Sequence, residues 1–165
     1  MSAVPGRTDR HTIRVPSGSY VLPSQHIAHQ GQDNTLAGFS AIGKMFGPSG
    51  PYSAVPIAKM RQGPGGPRPP RMITYGSAFH DSGGARGEGD HDFVPVIVAG
   101  GEHILHPDNV VAVALAGTKH PEALMAKYGY QRLLKHGHKI LDSWVMSDRK
   151  DHIKTHKNLA PPVKG

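Results

Sequence analysis

The stretch Phe93 to Val111, FVPVIVAGGEHILHPDNVV, sets an apolar run, Phe93 to Val98, against a second short one, His103 to Leu105, across Ala99-Gly100-Gly101-Glu102. Glycines between such runs predict a tight turn, because they reach the positive φ that the turn needs. Pro107-Asp108-Asn109 then suits a helix N-terminus. The pattern is that of a β-hairpin feeding a helix.

A weaker copy lies upstream. Ile13 and Val15 match Val96 and Val98, Gly18 matches Gly101, and Tyr20-Val21-Leu22 matches His103-Ile104-Leu105. Each copy also has a helix of common pattern. Asn34 or Thr35 can cap the run from Leu36 to Phe46, which Gly47-Pro48 ends. Its counterpart runs from Lys135 to Val145, with Gly38 on Gly137 and Met45-Phe46 on Trp144-Val145. Leu133, Leu134, Gly137, Ile140, Leu141, Trp144 and Val145 fall at helical spacing and predict a core-facing stripe, while the shared glycine invites close packing. The offset between copies grows from 83 residues at the hairpins to 99 at these helices, enough for inserted helical segments at Asn109 to Leu115 and Pro121 to Tyr128.

The remainder is poor in core. Only 37% of the 165 residues are hydrophobic, and 21 Gly and 15 Pro exceed the combined share of about 12% in ordinary domains. Gly47 to Asp92 concentrates them and reads as a linker or extended arm, with Arg61, Arg68 and Arg71 set among prolines. The expected organisation is an arm (1–10), a first hairpin-helix unit (11–46), the Gly/Pro-rich arm (47–92), a second unit (93–146) and a basic tail (147–165). The fold class is α+β, an internal duplication whose units pack through the matched helices.

Nineteen Lys and Arg against 12 Asp and Glu give a formal charge of +7, which favours an acidic partner. The absence of cysteine excludes disulfides and thiolate chemistry. No run approaches the length of a membrane span, so a product made in the cytoplasm is expected. The histidine pairs His26/His29, His103/His106 and His136/His138 have spacings that fit metal ligation poorly, and the loop from His80 to Asp92 lacks the regular spacing of a calcium loop. No nucleotide-binding or nucleophile-elbow motif occurs. The reading is a non-enzymatic protein without metal or other cofactor.

The stretches Val15 to Pro23, Asp33 to Gly38, Val94 to Pro107, Gly137 to Asp142 and Ile153 to Thr155 resemble small virion-associated proteins of tailed bacteriophages, in which phrases of the type G-E-[FY]-V-[IL]-x-P recur. The resemblance covers roughly a third of the chain. It implies a structural component of the virion and carries no catalytic residues with it. The expected function is assembly, as a minor protein on the capsid or at the head-to-tail region, with other virion structural proteins as partners in a symmetric, multi-copy arrangement. Exposed hairpin edges and the extended arm would make the contacts, through Tyr20, Val21 and Ile104 and through Arg61, Arg68 and Arg71. The alternative is a basic DNA-associated or ejected internal virion protein, touching phosphates through Arg149, Lys150, Lys154 and Lys157.

Overall fold

The computed structural model describes residues 10–62 and 93–157. Strand β1 (Arg10–Pro16) runs into Pro16-Ser17-Gly18-Ser19 and then β2 (Tyr20–Leu22), while β3 (Phe93–Ala99) runs through Ala99-Gly100-Gly101-Glu102 into β4 (His103–Leu105). Both turns form where the sequence predicts them, closed by hydrogen bonds from Ser19 N to Pro16 O (3.1 Å) and from Glu102 N to Ala99 O (3.4 Å). Neither closes a hairpin. β1 pairs antiparallel with β3, and β2 with β4, giving two separate two-stranded sheets.

The turn geometry explains this departure from expectation. Gly18 and Gly101, each at the third position of its turn, have φ of +89°, whereas Ser17 and Gly100 before them do not enter the positive-φ region. That is the type II pattern. Two-residue hairpins need positive φ at the second position, and a type II turn splays the strands on either side of it. Each chain segment therefore bends out of one sheet into the other, and its strands find partners in the opposite half of the sequence.

The pairing is symmetric under the 83-residue match. Ile13 faces its counterpart Val96, and Val21 faces its counterpart Ile104. Val15 and Val98 are both buried, as are Leu22 and Leu105.

Six helices complete a mixed α+β structure among the described residues. Helix α1 (Ser24–Gln30) follows β2, and α2 (Thr35–Phe46) starts at Asn34, whose side chain accepts a hydrogen bond from Ala37 N at 3.1 Å. Helix α3 (Ala54–Gln62) lies where an extended arm was expected. Pro56 sits in its first turn, where a missing N–H removes no helical bond, and Ile57 and Ala58 are buried. The rest of the expected arm, with Arg68 and Arg71, and the expected N-terminal arm up to residue 9 lie outside the described residues.

In the second half α4 (Pro107–Leu115) covers the first segment expected as an insertion, but it starts 83 residues after α1 and follows β4 as α1 follows β2, so it is matched and not inserted; α5 (Pro121–Tyr128) occupies the second. Helix α6 (Tyr130–Lys157) is longer than its apolar stripe predicts, continuing eleven residues past Met146 into the expected tail, whose remaining residues lie outside the described ones.

Leu22, Ile27, Ile42, Phe46 and Ile57 from the first half join Leu105, Val110, Val111, Leu133, Leu141 and Val145 from the second in one core. The matched helices α2 and α6 do not make the main helix contacts, as had been expected of them. Instead α2 packs on α1 and α6 packs on α4, each within its own half. The shared glycines create these contacts. A Cβ on Gly38 would run into the carbonyl oxygen of Ile27, and one on Gly137 into that of Val110, itself the 83-residue counterpart of Ile27.

Gly38→Ala and Gly137→Ala are each expected to lower stability by roughly 1–3 kcal/mol, since a packed backbone must move to admit the methyl group. Gly43 of α2 has open space where a Cβ would stand, so Gly43→Ala should add about 0.5–1 kcal/mol through helix propensity. Denaturant unfolding of the three variants checks both signs.

Candidate functional site: the seam and the surfaces beside it

The first helix of each half carries a buried polar residue, His26 on α1 and Asn109 on α4, at matched positions. Each reaches into the other half. Asn109 Nδ2 donates to Phe46 O (3.0 Å) and Tyr52 O (2.8 Å) at the end of α2 and just beyond it. His26 Nδ1 lies 2.6 Å from Asp148 Oδ2 on α6, and its ring meets Trp144 edge-on at 4.5 Å. The approach to Asp148 is off the line a ring N–H prefers, so neither ring nitrogen makes a well-aligned hydrogen bond. Gln30 Nε2 donates to the same carboxylate at 3.0 Å, and His29 Nε2 stands 3.8 Å from it.

Two aromatic pairs repeat the correspondence. Tyr20 of β2 meets His138 of α6 at 5.4 Å, and His103 of β4 meets Phe39 of α2 at 6.2 Å, both at an interplanar angle of 61°. Offsets of 83 and 99 residues carry one pair onto the other. His138 Nε2 also donates to Gly18 O at 2.9 Å, fastening α6 to the first turn.

Asp108 at the start of α4 is fully buried, held by Tyr130 OH at 2.7 Å and Arg61 Nε at 3.4 Å, and the Arg61 guanidinium lies 5.0 Å from the centre of the Tyr130 ring. This group ties α3, α4 and α6 together. Breaking one partner away from such a buried charge is costly, which makes the cluster a fixed point of the fold.

Burial pushes the Tyr130 hydroxyl pKa well up, with the Asp108 charge adding to it; burial does the same at Tyr20, reinforced by its 2.8 Å hydrogen bond to Asp142. Burial lowers the pKa of His26 despite the neighbouring Asp148, and it lowers that of His103. His26 is therefore a neutral ring beside a carboxylate near pH 7. The geometry suits specific joining of two halves.

The residues singled out for partner contact are only partly brought together. Tyr20, Val21 and Ile104 share the β2–β4 sheet, half-buried in the seam, and Arg61 lies apart in the interior pair with Asp108. Arg149, Lys150 and Lys154 are exposed on the distal part of α6, and Lys157 ends that helix. Of the three histidine pairs, only His26 and His29 converge, on Asp148. His103 faces Phe39, while His106 Nδ1 accepts from Asp108 N at 3.1 Å and so caps α4. Among the described residues no group of three or more His, Asp or Glu could hold a metal ion. The loop from His80 to Asp92 lies outside the described residues.

The β1–β3 ribbon is the surface that sequence reasoning missed as a unit. Val15 and Val98 are buried, but Ile97 is 67% exposed, Phe93 41% and Val94 38%. Its signal was the apolar residues on both faces of β3, more than a single buried face requires. No other strand pairs with either outer edge among the described residues.

No family model matches the chain, and no curated protein or solved structure is significantly similar to it. Among the described residues no helix is long and apolar enough to cross a membrane.

Depressed histidine pKa values fix the sign of a pH effect. Below the ordinary value of 6.5 the unfolded chain binds protons that the folded His26 and His103 resist, so stability is lost as pH falls through their folded-state pKa values. The melting temperature is expected to fall from about pH 6.5 downward, and less steeply in His26→Asn. Trp144, the single tryptophan, stands against His26 and reports the transition by its fluorescence. An identical pH slope in the variant would contradict the assignment.

Proposed function

We propose that this chain is an assembly protein of a tailed-bacteriophage virion, a minor structural component bound to the capsid or the head-to-tail region. The observation that carries the reading is the β1–β3 ribbon. It offers two strand edges that no other strand pairs with among the described residues, and exposed Phe93, Val94 and Ile97. Such edges accept an extended segment of a neighbour by main-chain hydrogen bonding, with the alternating side chains giving selectivity. The likeness of the two strand-turn-strand stretches to phage virion proteins supports the same reading.

The architecture is a tandem duplication in this proposal. Support comes from the matched pairs Ile13–Val96 and Val21–Ile104, from the equivalent contacts Tyr20–His138 and Phe39–His103, and from glycines 38 and 137 meeting matched carbonyls. Two copies that complete each other's sheets make a rigid body. The segment between Gln62 and Phe93, with Arg68 and Arg71, then adds contacts to acidic surfaces of neighbouring subunits, and no catalytic step is involved.

The double variant Phe93→Ser/Ile97→Lys changes exposed positions only, so its stability should stay within about 1 kcal/mol of the parent. Its incorporation into particles of the encoding phage, measured by quantitative mass spectrometry of purified virions, is expected to drop at least about tenfold, a loss of ~1.4 kcal/mol in binding. Undiminished incorporation would remove the ribbon from the contact, and absence of the parent protein from particles would overturn the virion reading.

A further inference from the structure

Helix α6 leaves one face uncovered from Arg132 to Lys154. At 100° per residue Arg132, Lys135, His136, Lys139, Lys150 and Lys154 lie within about 60° of a single line down the helix, and all six are exposed. The helix has three carboxylates, and none of them lies on this line. Asp148 is turned inward to His26 and Gln30, Asp142 accepts the Tyr20 hydroxyl, and Asp151 sits on the flank, 3.7 Å from Lys154. The fold thus draws negative charge off the face.

The five Lys and Arg residues form two groups. Arg132, Lys135 and Lys139 precede an uncharged middle of Ser143, Met146 and Ser147, and Lys150 and Lys154 follow it. At 1.5 Å per residue the gap between Lys139 and Lys150 is about 17 Å and the whole row about 33 Å. A gap of that size bridges a major groove about 12 Å wide, so that the two groups meet phosphates on its two sides. The Tyr and Trp of the helix face the other way, Tyr130 toward Asp108 and Trp144 toward His26, so neither large ring stands on the face to stack unpaired bases.

We propose that the outward face of α6 is a binding stripe for duplex nucleic acid, held through its phosphates and blind to sequence. The stripe includes Lys150 and Lys154, already noted in the sequence, and adds Arg132, Lys135 and Lys139 from the preceding turns. It does not rest on the virion reading, because it is a property of the purified protein. An acidic protein partner is the competing occupant; the groove-sized gap between the cation groups favours the duplex.

The test is fluorescence anisotropy of the full chain with a labelled mixed-sequence duplex of about 24 base pairs. Five phosphate contacts imply a slope of log affinity on log salt near −4.5, so raising salt from about 50 to about 200 mM should weaken binding roughly 500-fold. Lys135→Glu/Lys139→Glu/Lys150→Glu should lose at least about tenfold more affinity than Lys44→Glu/Lys59→Glu/Lys119→Glu, which makes the same charge change at exposed sites outside α6. Circular dichroism confirms that both variants are folded. Equal losses in the two triples would reduce the effect to net charge and overturn the stripe. So would no duplex binding at the lower salt, tighter binding of a single strand of equal length, or binding of polyglutamate that unlabelled duplex fails to displace.

Discussion

Everything in this fold depends on strand pairing between its halves. The type II geometry at Gly18 and Gly101 turns each strand away from its sequence neighbour, so no hairpin can form locally. β1 needs β3 and β2 needs β4. A lone two-stranded unit is marginal in water at best, and here Leu22 and Leu105 set the β2–β4 ribbon on a core to which both halves contribute, while Val15 and Val98 are the buried residues of the β1–β3 ribbon. Among the described residues neither half has a sheet of its own, and the core draws on both.

Polar contacts make the joining specific. Burial of Leu22 against Leu105 or of Ile27 near Val110 would tolerate sliding, but His26 at Asp148, Asn109 at Phe46 O and Tyr52 O, and His138 at Gly18 O accept one alignment. For Asn109 and His138 the cost of desolvation is offset by hydrogen bonds made only in the correct register, while His26 is held beside Asp148 and edge-on to Trp144. Within each half the close approach at Gly38 or Gly137 sets how its two helices pack, since any larger residue collides with a helix backbone. What this rigid body presents outward are the two proposed contact surfaces, an apolar ribbon and a basic helix face.

Local signals were legible in the sequence. The glycine turns, the Asn34 cap, the end of α2 at Gly47 and the boundaries of α5 follow from turn and capping chemistry that acts over a few residues. Strand partners were not legible, because alternation in β1 or β3 is the same whichever strand lies alongside, and turn type hinges on which of two residues takes positive φ. Helix α3 was hidden by Pro56 and by having only Ile57 and Ala58 to bury. Helix α6 runs past its apolar stripe because no Gly or Pro interrupts residues 138 to 160, a signal weaker than periodicity but present. The His26–Asp148 contact spans 122 residues, and the basic face emerges only once Asp148 is seen to turn inward and Asp142 to accept the Tyr20 hydroxyl.

The central claim, that the halves fold only on each other, is tested most directly by cutting the connection. A protease site inserted between Gly76 and Ser77 allows cleavage of the folded protein, followed by size-exclusion chromatography and thermal unfolding. The account predicts that the two fragments stay together at the size of the uncut 17.6 kDa chain and unfold in one cooperative transition. Fragments that separate while each keeps a folded hairpin and its own melting transition would contradict it.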